Sequence, residues 1–193
     1  MCGLTRTLPA PATAAPPLTE RRVRKKGEEA SEGEALGRSR GGLTTKLHLA
    51  FDGRGRPLSV RLTAGQRHES TQLAAVLDGI RVPRRRGRPR KRPKQVTLDK
   101  GYSYPKCRRL LRRRGLRHVI PERKDQREQR QAKGYRGGRP PRFERAVYRL
   151  RSWAERGVNR LKQFRRVATR YEKRATHYLG FVHLACIMIW LRA

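Results

Sequence analysis

The chain has 193 residues, one domain's worth, and only 35% of them are hydrophobic, so its core is modest. Against 50 Lys and Arg stand 15 Asp and Glu, a formal net charge of +35 that repels itself unless a polyanion is present. That excess is too large for a GC-rich coding bias alone, and nucleic acid is the expected partner. No apolar run reaches the length of a membrane span, and no membrane partner is expected. Cys2, Cys107 and Cys186 lie far apart without zinc spacing, so no metal finger or disulfide framework is read, and a reducing cytoplasm fits. The start, MCGLTRTLPAPATAAPPL, lacks the continuous apolar core of a signal peptide.

Residues 1–37 combine Pro-Ala repetition with the charge-rich RRVRKKGEEASEGE and read as disordered. Residues 38–193 read as the folded domain. LTTKLHLAFD puts Leu47, Leu49 and Phe51 on one face, with Lys46 and His48 on the other. Asp52-Gly53 is a hairpin signal, and PLSVRLT resumes the alternation through Leu58, Val60 and Leu62. The pair predicts an antiparallel hairpin with one buried face. Ser70 is an N-cap candidate for the helix TQLAAVLDGI, whose apolar side holds Leu73, Val76, Leu77 and Ile80.

Residues 83–94, PRRRGRPRKRPK, cannot pack in a core and read as a flexible phosphate-binding segment. Within it, GRPRK, with Arg88 and Arg90, resembles a minor-groove hook, but non-specific phosphate contact is the preferred reading. QVTLDKGY then predicts a short strand through Val96 and Leu98 with Asp99 at its end. There Asp99 either caps the next helix or serves a site, because scaffold ends hold functional groups where loops leave access. SYPKCRRLLRRRG reads as a helix packed by Leu110 and Leu111 and stopped by Gly115, and LRHVIP as a further strand. Residues 122–142 have almost no apolar content and read as a mobile basic loop.

YRLRSWAERGVNRLK, residues 148–162, predicts a helix with Leu150, Trp153, Ala154, Leu161 and Phe164 on one broad side. Tyr148, Arg151, Glu155 and Lys162 share a narrow stripe beside it, within about 60° of one another. Taken alone, Glu155 there is the polar edge of an amphipathic helix. The tail THYLGFVHLACIMIWLRA predicts a buried closing helix through Leu179, Val182, Ala185, Ile189 and Leu191. His177 and His183 read as interior or boundary residues.

The spacing of Tyr148, Arg151, Glu155 and Lys162 resembles the Y-x2-R-x3-E-x6-K signature of bacterial insertion-sequence transposases with a DDE catalytic triad. Flanking GYRGGRPPRF and LKQFRRVATRYEK resemble the fifth insertion-sequence family, and Asp99 with Lys100, Gly101 and Tyr102 resembles its [AL]-D-K-[AG]-Y motif. Residues 65–69, GQRHE, resemble a G-x-x-H-[DE] loop of the same family, so His68 and Glu69 border the site or form a local surface contact. The resemblance runs from about Gly27 to Leu191.

It implies an RNase-H-like α/β fold, a mixed sheet with flanking helices. It implies Asp99 and Glu155 as catalytic and metal-holding carboxylates for Mg²⁺ or Mn²⁺, with Tyr148, Arg151 and Lys162 on DNA phosphate. The implied reactions are DNA phosphodiester hydrolysis at the element's ends and transesterification into a target. The implied partner is double-stranded DNA, a homo-oligomer is compatible, and the implied setting is the bacterial cytoplasm at the nucleoid. One departure stands out: the family's first catalytic Asp precedes the segment matching RKKGEEASEGEALGRSRGG, and no Asp precedes Asp52 here. The expectation is therefore a start out of register by frameshift or misplaced initiation, with the upstream DNA-binding region and first strand missing and activity lost. The missing strand would leave an exposed edge, or a gap filled by the N-terminal segment. The alternative is a non-catalytic basic nucleic-acid-binding protein. Charge alone also admits a structural RNA-associated one.

Overall fold

The computed structural model describes residues 2–5, 34–39 and 42–192; most of the expected disordered segment 1–37 lies outside the described residues. Among the described residues six strands form the sheet: β1 (Cys2–Thr5), β2 (Gly37–Ser39), β3 (Gly42–Asp52), β4 (Pro57–Ala64), β5 (Gln95–Leu98) and β6 (Arg117–Val119). β3 pairs antiparallel with β4 on one side and with β1 on the other. From there β1, β5 and β6 run parallel. The result is the mixed sheet expected. Its central place, between β3 and β5, is taken by Cys2–Thr5, the second of the two outcomes the sequence leaves open.

The β3–β4 hairpin turns where Asp52-Gly53 predicts. The Asp52 carboxylate accepts from the backbone N–H of Arg54 and Arg56 at 2.9 Å each, which folds the turn back on itself. The expectation of one buried face is corrected. Leu47, Leu49 and Phe51 enter one core layer, while Ala50 enters another on the opposite face. His48, read as a solvent-side residue, is 1% exposed. Its Nε2 meets Thr63 Oγ1 at 2.8 Å, which satisfies the buried ring.

Helices α1 (Leu73–Asp78) and α2 (Pro105–Arg113) cover the Ala50 face, burying Leu73, Val76, Leu77 and Leu111 against Val96 and Leu98. Gly115, at φ +60°, follows the end of α2 and turns the chain into β6. The other face carries α5 (Ser152–Lys162) and α7 (Ala175–Leu191), with short α4 (Arg145–Arg149) before α5 and α6 (Arg165–Ala168) after it. Ala154, Val158 and Leu161 of α5 pack on Leu47, Leu49 and Phe51. α7 buries Tyr178, Val182, Ala185 and Ile189, but Leu191 is 77% exposed, unlike the expected burial; of the two readings for His177 and His183, interior or boundary, the interior one is excluded, since both are exposed.

Two basic segments differ from expectation. Residues 122–142 are not a loop throughout: α3 (Lys124–Ala132) and a short 3-10 turn, Gly134–Gly137, occupy most of them. With no apolar face, α3 is supported by ion pairs, Glu122 with Arg130 at 3.0 Å and Arg123 with Asp125 at 2.9 Å. The segment 83–94 is exposed as expected, but it is tied rather than loose. Val82 and Arg90 exchange backbone hydrogen bonds, and Arg92 Nη2 donates to the Gly115 carbonyl at 2.7 Å.

Candidate active site

Asp99 leaves the sheet at the end of β5. Its Oδ1 accepts from the Lys100 N–H at 2.6 Å, starting the 3-10 turn Lys100–Tyr102, so the local capping role read from the sequence is present. Its Oδ2 stays available and lies 3.3 Å from Arg151 Nη2. The other terminal nitrogen, Nη1, donates to Glu155 Oε1 at 2.8 Å. Both contacts end on one planar guanidinium, so the carboxylates lie within about 8 Å of each other. The structure thus gathers two acids that are far apart in sequence around one cation.

The expected helix over 148–162 is broken to achieve this. α4 ends at Arg149, and α5 begins at Ser152. Across the break the bonds tighten to i→i+3, from Arg151 N to Tyr148 O and from Ala154 N to Arg151 O. The offset turns Arg151 inward, where its side chain is 13% exposed and its Nε is buried without a partner. Leu150, read as core, is 39% exposed at the break. Tyr148 stands beside the pair, with the Arg151 guanidinium 5.9 Å from its ring centre and Phe143 tilted against it. Burial pushes the Tyr148 phenol up; Arg151 opposes this, and the charges of Asp99 and Glu155 add to it.

α5 is seated by a glycine contact that the sequence reading missed. Gly157 is buried, and a Cβ there would stand 2.5 Å from Phe51 Cε1 and 2.7 Å from the Gly55 carbonyl oxygen. A Cβ on Gly55, which is at φ +76°, would likewise stand 2.7 Å from the Trp153 carbonyl oxygen. Glu155 therefore projects from a helix pressed directly on the hairpin turn.

Other candidates fall further out. Lys162 is exposed, about 10 Å along α5 from Glu155 at 1.5 Å per residue. Arg88 and Arg90 lie in the segment that enters β5, whereas Asp99 leaves it; a four-residue strand puts about 13 Å between the two ends. Asp52 pairs in register with Cys2, at the end of β1 away from Asp99. Burial pushes the Asp52 carboxyl up, but the Arg56 and Arg54 N–H donors and the Arg56 guanidinium outweigh it and hold it below the usual range. Glu69 lies nearer: its Oε2 fills the place of a Cβ on Gly101, and His68 Nε2 meets Tyr104 OH at 3.2 Å. So the His68–Glu69 loop borders the turn after Asp99.

Two carboxylates already sharing a cation suit one hard divalent ion, which keeps several waters and needs few protein ligands. Among the described residues no group of three or more His, Cys, Asp or Glu side chains is placed to hold a metal ion.

Residues 19–190 match the family model described as transposase DDE domain. The chain belongs to that family. It is 33% identical over 146 residues to the inferred transposase of insertion sequence element IS402 from Burkholderia cepacia, covering 75% of this chain and 62% of that protein. It is also 33% identical over 154 residues to the inferred transposase of insertion sequence element IS6501 from Brucella ovis, covering 78% of this chain and all of that protein. No solved structure matches. DDE domains carry the RNase-H-like fold, and the β4-β3-β1-β5-β6 sheet with its helices is consistent with it. No helix among the described residues is long and apolar enough to cross a membrane.

Proposed function

We propose that this chain is the DDE domain of an insertion-sequence transposase of the fifth insertion-sequence family, which binds the DNA of its element. The observation that carries the reading is the convergence of Asp99, from a strand end, and Glu155, from α5, on the Arg151 guanidinium. In the working enzyme Asp99 and Glu155 would hold a divalent cation, Mg²⁺ or Mn²⁺. When bound, such an ion supplies charge stabilisation to the attacking and leaving oxygens. Arg151, released from the carboxylates, has a fork geometry suited to a phosphodiester. Tyr148, whose phenol burial pushes up from its ordinary value, donates a hydrogen bond to the same strand. Hydrolysis at the element's end forms a P–O bond from water as the P–O3′ bond breaks, leaving a 5′-phosphate and a 3′-OH. That hydroxyl then attacks a target phosphodiester, forming one P–O bond as another breaks.

The strand beside β5 bears on activity. It reads Cys-Gly-Leu-Thr, with no acid, and in the register that pairs Leu4 with Leu98 its last residue, Thr5, is level with Asp99. The chain as it stands therefore binds DNA without cutting it. This absence also supports the alternative of a non-catalytic DNA-binding protein. Incubating the chain with Mn²⁺ and duplex DNA carrying the element's ends tests both. The expected result is tight binding and no strand cleavage. The variant Thr5→Asp is expected to gain Mn²⁺ affinity and cleavage, both lost again with Glu155→Gln. Cleavage by the unaltered chain that depends on Glu155 would overturn the inactivity. Failure to bind DNA would overturn the whole reading.

A further inference from the structure

A groove of about 520 Å³ opens between α2 and α3, reaching in as far as Ser103, four residues past Asp99. Its frame is polar. Ser103 Oγ donates to Gln126 Oε1 at 2.8 Å and accepts from Arg108 Nη2 at 3.3 Å. The same Arg108 nitrogen donates to the Ile120 carbonyl at 3.0 Å, and Arg130 makes a two-pronged contact with Glu122. These bonds use Arg108 and Arg130 to build the walls. Three further cations line the groove, Arg112 from α2, Lys133 from the end of α3 and Arg136 from the following turn. All three are exposed, and none takes part in an ion pair found among the described residues.

α3 adds an independent observation: it buries none of its residues. Nothing hydrophobic holds it against α2, so its docking does not serve the core. A helix placed by polar bonds alone, and forming one wall of a cleft lined with uncompensated positive charge, is suited to a polyanion lying in that cleft. The groove also reaches Ser103, four residues after Asp99 on the exit side of β5, whereas the more basic segment 83–94 enters β5 from its opposite end.

We propose that the α2–α3 groove holds the DNA backbone beside the carboxylates, with Arg112, Lys133 and Arg136 each on a phosphate. This rests on the DNA-binding reading above and assigns the contact to a different surface from the Arg88–Arg90 segment. The test compares two triple variants that remove equal charge, Arg112→Gln/Lys133→Gln/Arg136→Gln and Arg84→Gln/Arg85→Gln/Arg86→Gln. Binding of a labelled duplex is measured across a salt series. For the groove variant the slope of log K against log salt should fall by about 2 to 3, and affinity near 0.1 M salt by about 100-fold or more. The segment variant should lose less than about tenfold. Equal losses, or the larger loss in the segment variant, would overturn the proposal. A second readout needs no substitution: bound DNA should slow acetylation of Lys133 in the unaltered chain and leave Lys91 unchanged. The reverse pattern would count against the groove. Normal DNA binding with an indifferent groove variant sinks this inference alone, whereas an unaltered chain that ignores DNA sinks the functional reading with it.

Discussion

Replacing Gly157 by Ala should destabilise the fold, although the same change in an open helix does the opposite. In a helix interior Ala is favoured over Gly by about 0.8–1.0 kcal/mol. At Gly157 the new methyl would stand 2.5 Å and 2.6 Å from two carbons of the Phe51 ring and 2.7 Å from the Gly55 carbonyl oxygen. Ordinary contacts between such atoms fall at about 3.5–4.0 Å. Phe51 is fully buried, and the Gly55 oxygen belongs to a turn fixed by Asp52, so neither can swing aside. Overpacking of this kind costs about 1–3 kcal/mol, and here it falls at the upper end because three atoms are involved. Less the helix-propensity gain, the net loss is about 1–2 kcal/mol. Gly180 of α7 is the internal control, being exposed with nothing within 4 Å of a built Cβ. Gly180→Ala should stabilise by about 0.5–1 kcal/mol. Urea unfolding followed by circular dichroism reads both. With a slope of about 2 kcal/mol/M, the Gly157 variant should shift its midpoint down by about 0.5–1 M and the Gly180 variant up by half that or less. A midpoint raised by both substitutions would show that α5 does not press on the hairpin turn, and the placement of Glu155 would lose its support.

Three further outcomes follow from buried polar groups and from the carboxylate pair. Burial holds His48 neutral and lowers its pKa from 6.5 to about 4. The unfolded chain therefore takes up a proton that the folded one refuses, and stability should fall as pH drops from about 6.5 towards 4, by about 2 kcal/mol at pH 5. His48→Gln should lack that part of the loss in unfolding curves at pH 7 and pH 5, and an unchanged pH dependence would refute the assignment. Arg170, 3% exposed, donates to the carbonyls of Glu34, Glu172 and Lys173 and to Thr45 Oγ1. Arg170→Met should cost about 3–5 kcal/mol by orphaning those acceptors, with little rescue from Arg170→Lys, whose single ammonium cannot span the fork; thermal melts within a degree of the unaltered chain would contradict it. Arg151→Gln should strengthen Mn²⁺ binding, measured calorimetrically, because the guanidinium competes for Asp99 and Glu155. Weaker binding would mean that Arg151 orients the acids rather than displacing the ion.

What could be read from the sequence was local. Asp52-Gly53 between alternating segments specifies the hairpin, and Val96 and Leu98 before Asp99 specify β5. Burial of His48 was not legible, because a polar residue between apolar ones reads as solvent-facing until a second layer of helices covers that face. The break at Leu150 and Arg151 carries no Pro or Gly signal. It coincides with the tertiary contact between Arg151 and Asp99, a partner outside any helical window. α3 escaped for the opposite reason: its support comes from charge pairs such as Lys124 with Glu128, which hydrophobic periodicity does not register. The groove cations were visible only as part of a general excess of Arg. Their distinction is spatial: Arg130 pairs with Glu122, whereas Arg112, Lys133 and Arg136 enter no ion pair found among the described residues.

A helix with no buried side chain also has a kinetic character of its own. α3 can open without exposing apolar surface, so its local unfolding free energy should lie near the bottom of the range for this domain. Its amides should exchange with solvent long before those of β3 or α5, and proteases should cut there first. Occupation of the neighbouring groove would then be felt as order: exchange over Lys124–Ala132 slows, while the core amides keep their rates.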